Sequence, residues 1–456
     1  MFSQKYNDEK HILKVRNEIK NELISFHSPL IRKRIEEIAK YEAINKNAIP
    51  DPYLTDLAKV HIFMDKFRSR TKNPLLGEMF EEQLFATYEY CKDNNLNYSN
   101  FDDLFNNKKF FTFLGVTTDD KWFLSNILPF VKEENKEYTS ESGKYVSLIS
   151  KRIAINKHST EIDISGYNAS LNHTGTHETQ HFVTGKGTYD KKYLFGGYLN
   201  VGQNNLNELC IERIATNIIK NYLDDNIKSK TVEKSFDTGN KITFTSDSKD
   251  YQEFVVFYDS LNHISGNKLE DICYTKGKNI DSIGNPEIVN KILDFTESLG
   301  SVCDKNDKTK LLEQNFDAMI DSFSSLAEKY VRNLGLNKST TPDSLEGAIT
   351  FKRVEEFFNT FDSITFQKDG ENFTQKELIK EKVLGAIYYN DKSSEEAINR
   401  LNNKRTFVKE FEKKCKTATE TIEKSKTSES EITTSIEKTK ENETTKDNSK
   451  SDDLEL

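Results

Sequence analysis

The chain has 456 residues, of which 35% are apolar and 30% are charged, and its mean hydropathy is −0.72. This composition is too polar for a chain that is packed from end to end, so part of it is predicted to lie outside any core. The net charge of −9 argues against a dedicated nucleic-acid-binding protein, which usually carries a basic face. The five cysteines are scattered and include no CxxC pair, which argues against a zinc ribbon and a disulfide framework.

The N-terminal segment and the apolar runs favour a cytoplasmic location, although non-classical export leaves no signal of this kind. No apolar signal-peptide core follows Met1, and clusters such as 123–131 are far shorter than the ~20 residues that span a bilayer. We therefore expect neither a nucleic acid nor a membrane as a partner. The oligomeric state is not specified by the sequence.

Apolar residues at three- and four-residue spacing predict amphipathic helices in the N-terminal region. This spacing runs through 8–27 and repeats in 31–41, 53–67 and 73–91. Residues 1–135 are therefore predicted to form a mainly helical region.

The pattern changes in residues 136–230, which are interpreted as a separate core. Short alternating segments between 145 and 165 predict strands bounded by polar turns. A helix is predicted over 170–184, then a loop rich in Gly and Tyr, and then a second helix over 204–223 with an apolar stripe.

Residues 231–415 are predicted to be mainly helical with short hairpins, and residues 416–456 to be a disordered acidic tail. The tail is nearly all Ser, Thr, Glu, Lys, Asn and Asp, too little apolar surface to offset the entropy of ordering. The predicted fold class is α+β and predominantly helical, with a small sheet. The landmarks of residues 231–415 are hairpins over 232–245 and 363–373, a helix over 311–334 that ends at Gly335, and a capping box of Thr374 and Glu377.

The segment His177-Glu178-Thr-Gln-His181 contains the pattern HExxH. On a helix, His177 and His181 project from one face, so that two imidazoles can bind one Zn²⁺ ion. Glu178 then lies beside the metal, where its carboxylate can accept a proton from the attacking water. The spacing therefore predicts a catalytic zinc site with Glu178 as the general base.

Catalytic zinc normally has three protein ligands, and the run Asn207-Glu208-Leu-Cys-Ile-Glu212 offers the third. Together with HExxH, this run resembles the gluzincin metallopeptidases, the thermolysin-like class. The resemblance implies a zincin-like core that binds zinc and hydrolyses peptide bonds. It implies that His177, His181 and Glu208 are the ligands and that Glu212 accepts a hydrogen bond from a zinc-binding histidine.

Other interpretations of the same residues stay open at this stage. HExxH also arises by chance on a solvated helix face, and Glu208 and Glu212 could be an exposed carboxylate pair at i,i+4 spacing. Glu212 could itself be the third ligand, because both carboxylates point the same way. His173 extends the i,i+4 series, but a straight helix cannot wrap three successive turns around one ion, so His173 is interpreted as a polar residue near the site.

An oxyanion stabiliser is also needed, and His263 and Tyr198 are the candidates, although neither lies in a matching motif. Gly175 is expected to weaken the helix that carries HExxH by up to ~1 kcal/mol relative to Ala. Walker A, GxGxxG, GxSxG and EF-hand patterns are absent from the sequence.

The sequence thus predicts a zinc-dependent metallopeptidase that acts on a peptide or protein substrate. Two alternatives remain: a non-catalytic helical interaction protein with a degenerate or structural zincin-like core, and a substrate-specific metalloprotease toxin or effector. The cleavage preference is not specified by the sequence.

Overall fold

The computed structural model divides the chain into two compact units. The first unit comprises Met1–Val232, Phe244–Tyr258 and Ser265–Val289, and the second comprises Glu233–Thr243, Asp259–Ile264 and Asn290–Leu456. The structure describes residues 8–22, 24–68, 74–96, 173, 175–177, 179–180, 184, 204–235, 241–248, 255–275, 278–300, 308–361, 364–368 and 371–448.

Four helices at the predicted positions begin the first unit. Asp8 caps the first helix by accepting from the backbone N–H groups of Lys10 and His11, and Ser28 followed by Pro29 starts the second. The helices, α1 to α4, are Glu9–Lys20, Pro29–Ile44, Pro52–Arg68 and Pro74–Asp93.

Helix α4 lies at the centre of this unit, because every residue from Met79 to Cys91 is buried. Buried charged residues need partners, and here they have them. Glu81 Oε1 lies 2.7 Å from His61 Nδ1, and Glu89 Oε1 lies 3.2 Å from Lys92 Nζ. The polar side chains of α4 therefore form part of the core.

The predicted helix over 204–223 is confirmed, and its last turn is π-helical. Helix α5 is Asn204–Ile218 and the π-helical turn is Ile219–Leu223. The remaining elements, in chain order, are β1 (Lys230–Ser235), β2 (Lys241–Ser246), α6 (Tyr258–Ile264), α7 (Leu269–Tyr274), a 3₁₀ turn (Ile280–Ile283), α8 (Pro286–Gly300), α9 (Lys308–Asn333), α10 (Leu345–Asn359), β3 (Ile364–Lys368), β4 (Glu371–Thr374), α11 (Gln375–Tyr389), α12 (Ser394–Asn402) and α13 (Phe407–Asn448).

The second unit has a core of aromatic side chains. The rings of Phe295 and Phe323 are 4.9 Å apart, and Phe411 of α13 lies 5.6 Å from Phe358 of α10.

Both predicted hairpins are confirmed, and the four strands form one sheet in the order β1-β2-β3-β4. Strands β3 and β4 are antiparallel, with Phe366 opposite Phe373.

Two further local predictions are confirmed in the second unit. Thr374 and Glu377 form the capping box that starts α11. Gly335, just after α9, has φ +100°, the left-handed conformation that ends helices. The predominantly helical class is also confirmed for the described residues.

The predicted disorder after residue 415 is corrected by the structure, because α13 continues to Asn448. The composition revealed the lack of apolar surface but not the helix, although residues 416–448 contain neither Gly nor Pro to interrupt one. Among the residues of this helix whose burial is described, which end at Thr427, the last buried one is Ala418. Residues 449–456 lie outside the described residues.

The strands predicted between 145 and 165 also lie outside the described residues, so the zincin-like sheet stays a prediction. No helix in the described part of the chain combines the length and apolar character needed to cross a membrane.

Candidate metal centre

The helix predicted over 170–184 presents a stripe of polar residues to the interior. Every described residue between 173 and 184 is α-helical. The stripe consists of His173, Thr176, His177, Gln180 and Thr184, which follow helical spacing and are all at most 6% exposed. His177 therefore does not lie on a solvated helix face, which was the alternative interpretation of HExxH.

Gln180, inside the HExxH pattern, attaches this helix to two other elements of the first unit. Its Nε2 donates to Thr87 Oγ1 of α4 at 2.9 Å, and its Oε1 accepts from the Tyr274 hydroxyl of α7 at 2.5 Å. All three residues are buried, and both ends of the Gln180 amide have a hydrogen-bond partner, as buried polar groups require. These bonds fix the rotation of the helix and thus the direction of His177.

The structure explains why glycine occupies position 175, which the sequence alone did not reveal. A Cβ atom added at this position would lie 2.5 Å from the side-chain amide of Gln83 on α4. The absence of a side chain at Gly175 lets the two helices approach closely. The expected helix weakening is thus accompanied by a packing advantage.

Glu208 and Glu212 lie one turn apart on α5, as predicted, but in different environments. The Glu212 side chain is fully buried, whereas that of Glu208 is 23% exposed. An exposed carboxylate pair therefore does not describe Glu212.

His177 lies between the two carboxylates and contacts each with a different ring nitrogen. Its Nδ1 is 2.7 Å from Glu212 Oε2, and its Nε2 is 3.3 Å from Glu208 Oε2. Because a carboxylate only accepts, the first contact requires the proton on Nδ1. The Nε2 atom of a neutral imidazole then carries the lone pair on the side of Glu208.

The distance between His177 Nε2 and Glu208 Oε2 can be tested against zinc geometry. Two ligands of a tetrahedral zinc ion, each about 2.0 to 2.1 Å from the metal, lie about 3.3 to 3.4 Å apart. The observed 3.3 Å agrees with that separation. Imidazole nitrogen and carboxylate oxygen are also donors that zinc prefers, so this pair fits the ion that the sequence implied.

Side chains of three described residues contact Glu212, whose carboxylate has no solvent exposure. Its Oε1 accepts from the Ser248 hydroxyl and lies 2.8 Å from His173 Nε2, while its Oε2 accepts from His177. Burial alone would raise the pKa of Glu212, but the neighbouring His173 and the hydrogen bond from His177 outweigh it and hold the pKa well below its usual range. Glu212 is therefore ionised.

Some predicted site residues lie outside this cluster. Glu178, His181 and Tyr198 are outside the described residues. His263 belongs to the second unit, where its ring stacks on Phe357 at 5.8 Å and meets Tyr330 edge-on at 5.9 Å. Burial lowers the pKa of His263. His263 is thus a half-buried histidine that packs against aromatic rings.

Within the described residues, no three His, Cys, Asp or Glu side chains form a group that could hold a metal ion. His181, the predicted member between His177 and Glu208, is not among those residues. Comparisons of the chain with protein-family models, with curated proteins and with solved structures found no match.

Several residues of the site were missed in the sequence. Thr87, Ser248 and Tyr274 reach it only through the tertiary structure, and no local pattern marks them. No local pattern marks Gln180 as buried either, because polar residues at helical spacing normally indicate the solvated face of a helix.

Proposed function

We propose that the protein is a zinc-dependent metallopeptidase with a zincin-like core over residues 136–230. His177, His181 and Glu208 would hold the ion, with Glu178 as the general base. The class rests on the sequence pattern HExxH followed by Asn-Glu-x-x-x-Glu, and the substrate on the resemblance to gluzincins. A cytoplasmic location remains part of the proposal.

The contact between His177 Nε2 and Glu208 Oε2 carries the proposal. The sequence left either Glu208 or Glu212 as the third ligand, and the surroundings of the two carboxylates favour Glu208. Both oxygens of Glu212 already contact buried donors, whereas Glu208 is partly exposed and faces the nitrogen of His177 that can bind a metal. Glu212 is then the residue that holds His177 in the required tautomer.

His177, His181 and Glu208 would hold a zinc ion, which would act as a Lewis acid toward water and a peptide carbonyl. The chain supplies the remaining functions. Glu178 takes the proton of the attacking water and passes it to the leaving amine. Glu212 fixes the ring of His177. A donor to the oxyanion is also required, and Tyr198 is the better candidate because His263 is packed among aromatic rings.

Metal analysis of the purified full-length chain tests the proposal. We expect about one zinc per chain in the wild type and much less in His181→Ala. Less than about half an equivalent, with no further loss in His181→Ala, would contradict the proposal. The 3.3 Å distance between His177 Nε2 and Glu208 Oε2 also fits a direct ion pair of an imidazolium and a carboxylate. Metal analysis distinguishes such an ion pair from a zinc site.

Glu178→Gln tests the chemistry separately from metal binding. We expect this variant to keep its zinc and to lose peptide cleavage by about 10²- to 10⁴-fold, because the amide cannot accept the proton. A peptide library incubated with the zinc-loaded proteins provides the readout. Loaded wild-type protein that cleaves no peptide would instead favour the non-catalytic interaction protein.

A further inference from the structure

Glu212 also has partners that lie outside HExxH and outside the run Asn-Glu-x-x-x-Glu. Its Oε1 accepts from the Ser248 hydroxyl and lies 2.8 Å from His173 Nε2. Ser248 is 3% exposed and His173 is 5% exposed, so neither contact competes with bulk water. Both partners therefore act on a carboxylate that has no solvent exposure.

A carboxylate is planar and rigid, so contacts that fix Oε1 also fix the position of Oε2. In Glu212, Oε2 is the atom that lies 2.7 Å from His177 Nδ1. Rotation of the carboxylate would break this contact and release the His177 ring, which then could present either nitrogen to Glu208. The partners of Oε1 therefore control the histidine without touching it.

The segment that carries Ser248 is attached to α5, the helix that carries Glu208 and Glu212, and to the π-helical turn that follows α5. The neighbouring Asp247 pairs with Arg213 Nη1 at 3.1 Å and with Lys220 Nζ at 3.2 Å. The Ser248 N–H donates to Ser246 Oγ at 3.1 Å, which shapes the end of β2. The ion pairs of Asp247 and the bond between Ser248 and Ser246 thus hold the backbone that carries the Ser248 hydroxyl.

We propose that Ser248 and His173 are positioning residues of the metal centre: they fix Oε1 of Glu212, so that Oε2 holds His177 Nδ1 and directs Nε2 toward Glu208. This inference rests on the proposed function for the identity of the ion. It assigns roles to a serine outside the motif and to a histidine that is one helical turn before the first ligand.

Zinc affinity, measured by competition with a chelator on the full-length chain, tests the role of Ser248. We expect Ser248→Ala to bind zinc about 10-fold more weakly, and Ser248→Thr, which keeps the hydroxyl, to restore most of the affinity. His173→Phe, which keeps a ring but removes both nitrogens, should also weaken binding. Ser260→Ala is the control, because Ser260 is a buried serine of the second unit that bonds Thr360.

The outcomes separate a positioning role from a packing role. Unchanged zinc affinity in Ser248→Ala would overturn the proposal, and so would a loss in Ser248→Thr as large as in Ser248→Ala. Urea unfolding of the metal-free variants shows whether weaker binding merely reflects a damaged fold. The absorption spectrum of the Co²⁺-substituted protein should change in Ser248→Ala and stay unchanged in Ser260→Ala.

Failure of the proposed function can be distinguished from failure of this inference. If the wild type binds no zinc, the proposed function fails, and ¹⁵N spectra of the histidines decide the positioning role in the metal-free protein. We then expect His177 to carry its proton on Nδ1 in the wild type and to lose this preference in Ser248→Ala. An identical His177 signal in the two proteins would overturn the inference.

Discussion

Each compact unit contains a glutamate without solvent exposure, and the two differ in the partners that accompany the charge. In the second unit, Glu381 Oε1 accepts from Arg400 Nε at 2.6 Å, and its Oε2 accepts from the backbone N–H of Val408 at 3.2 Å. In the first unit, the partners of Glu212 among the described residues include two imidazoles and one hydroxyl. The amount of burial is the same, so the partners distinguish the two sites.

The chemistry of the partners indicates what each glutamate does. Arginine is always charged, so the pair of Glu381 and Arg400 is a permanent joint between α11, α12 and the start of α13. An imidazole that donates from one nitrogen keeps the other as a metal ligand, which arginine cannot do. The Glu381 site therefore supports the fold, whereas under the proposed function the Glu212 site would direct a metal ligand.

Arg400→Ala should have the largest effect on stability, because it leaves Glu381 buried without its cation. We expect the free energy of unfolding to fall by about 3 kcal/mol. Lys241→Ala is the control, since the pair of Lys241 and Glu233 is largely exposed and should contribute little. Urea unfolding measures both. A drop in zinc affinity in Arg400→Ala would show that the two sites are not independent.

Another buried carboxyl, Glu82 of α4, extends the comparison to the effect of pH on stability. Burial raises its pKa to about 7, although it accepts from the backbone N–H groups of His27 and Ser28. Between about pH 4.5 and pH 7, the folded chain therefore keeps a proton on Glu82 that the unfolded chain releases. This proton contributes on the order of 3 kcal/mol to the free energy of unfolding below about pH 4.5, and the contribution is lost as the pH rises to about 7.

The sign for Glu212 is opposite. Its lowered pKa contributes stability that is present above about pH 4.5 and is lost in acid.

Glu82→Gln should remove the first of these dependences. Between pH 5 and pH 7.5, we expect the wild type to lose more unfolding free energy than the variant. The readout is the difference between the two proteins, because other groups such as Glu89 titrate in the same range. Parallel stability curves for the two proteins would mean that Glu82 is not protonated in the folded state.

The matched pair Glu212→Gln and Glu381→Gln tests the comparison directly. Glu212→Gln places an amide donor against His177 or His173 and disturbs the ring that would bind zinc. We expect zinc affinity to fall about 10- to 100-fold in Glu212→Gln and to stay unchanged in Glu381→Gln. Chelator competition measures both. Equal zinc affinities would place the two glutamates in the same structural class.

Gly175→Ala should have the smallest effect. The new methyl group approaches the buried amide of Gln83, which should cost about 1 kcal/mol or slightly more after the gain in helix propensity. In a Gln83→Ala background, the same change should be neutral or stabilising by up to about 1 kcal/mol. A double-mutant cycle by urea unfolding gives the coupling energy. Additive effects would exclude the close approach of the two helices.

Local features of the structure were predicted well from the sequence because they depend on neighbours along the chain. Helical spacing gave α1 to α5, and the capping box of Thr374 and Glu377 marked the start of α11. Composition failed for residues 416–448, because it measures the apolar surface available for a core and does not detect the tendency to form a helix.

The candidate site was predicted to the extent that it lies on two helices with a simple period. Glu208 and Glu212 share a face of α5, and His173 and His177 share a face of the other helix. The supporting contacts could not be predicted, because Ser248, Thr87 and Tyr274 reach their partners across 36, 93 and 94 residues. The different environments of the two α5 glutamates likewise depend on burial, which tertiary packing decides.

A crystal structure of the zinc-loaded protein, with anomalous data collected at the zinc edge, tests the central claim most directly. We predict one zinc peak about 2.0 to 2.2 Å from His177 Nε2, from a nitrogen of His181 and from Glu208 Oε2, with Glu212 still bonded to His177 Nδ1. A peak coordinated by Glu212, a fourth protein ligand that closes the site, or no peak near His177 would contradict it.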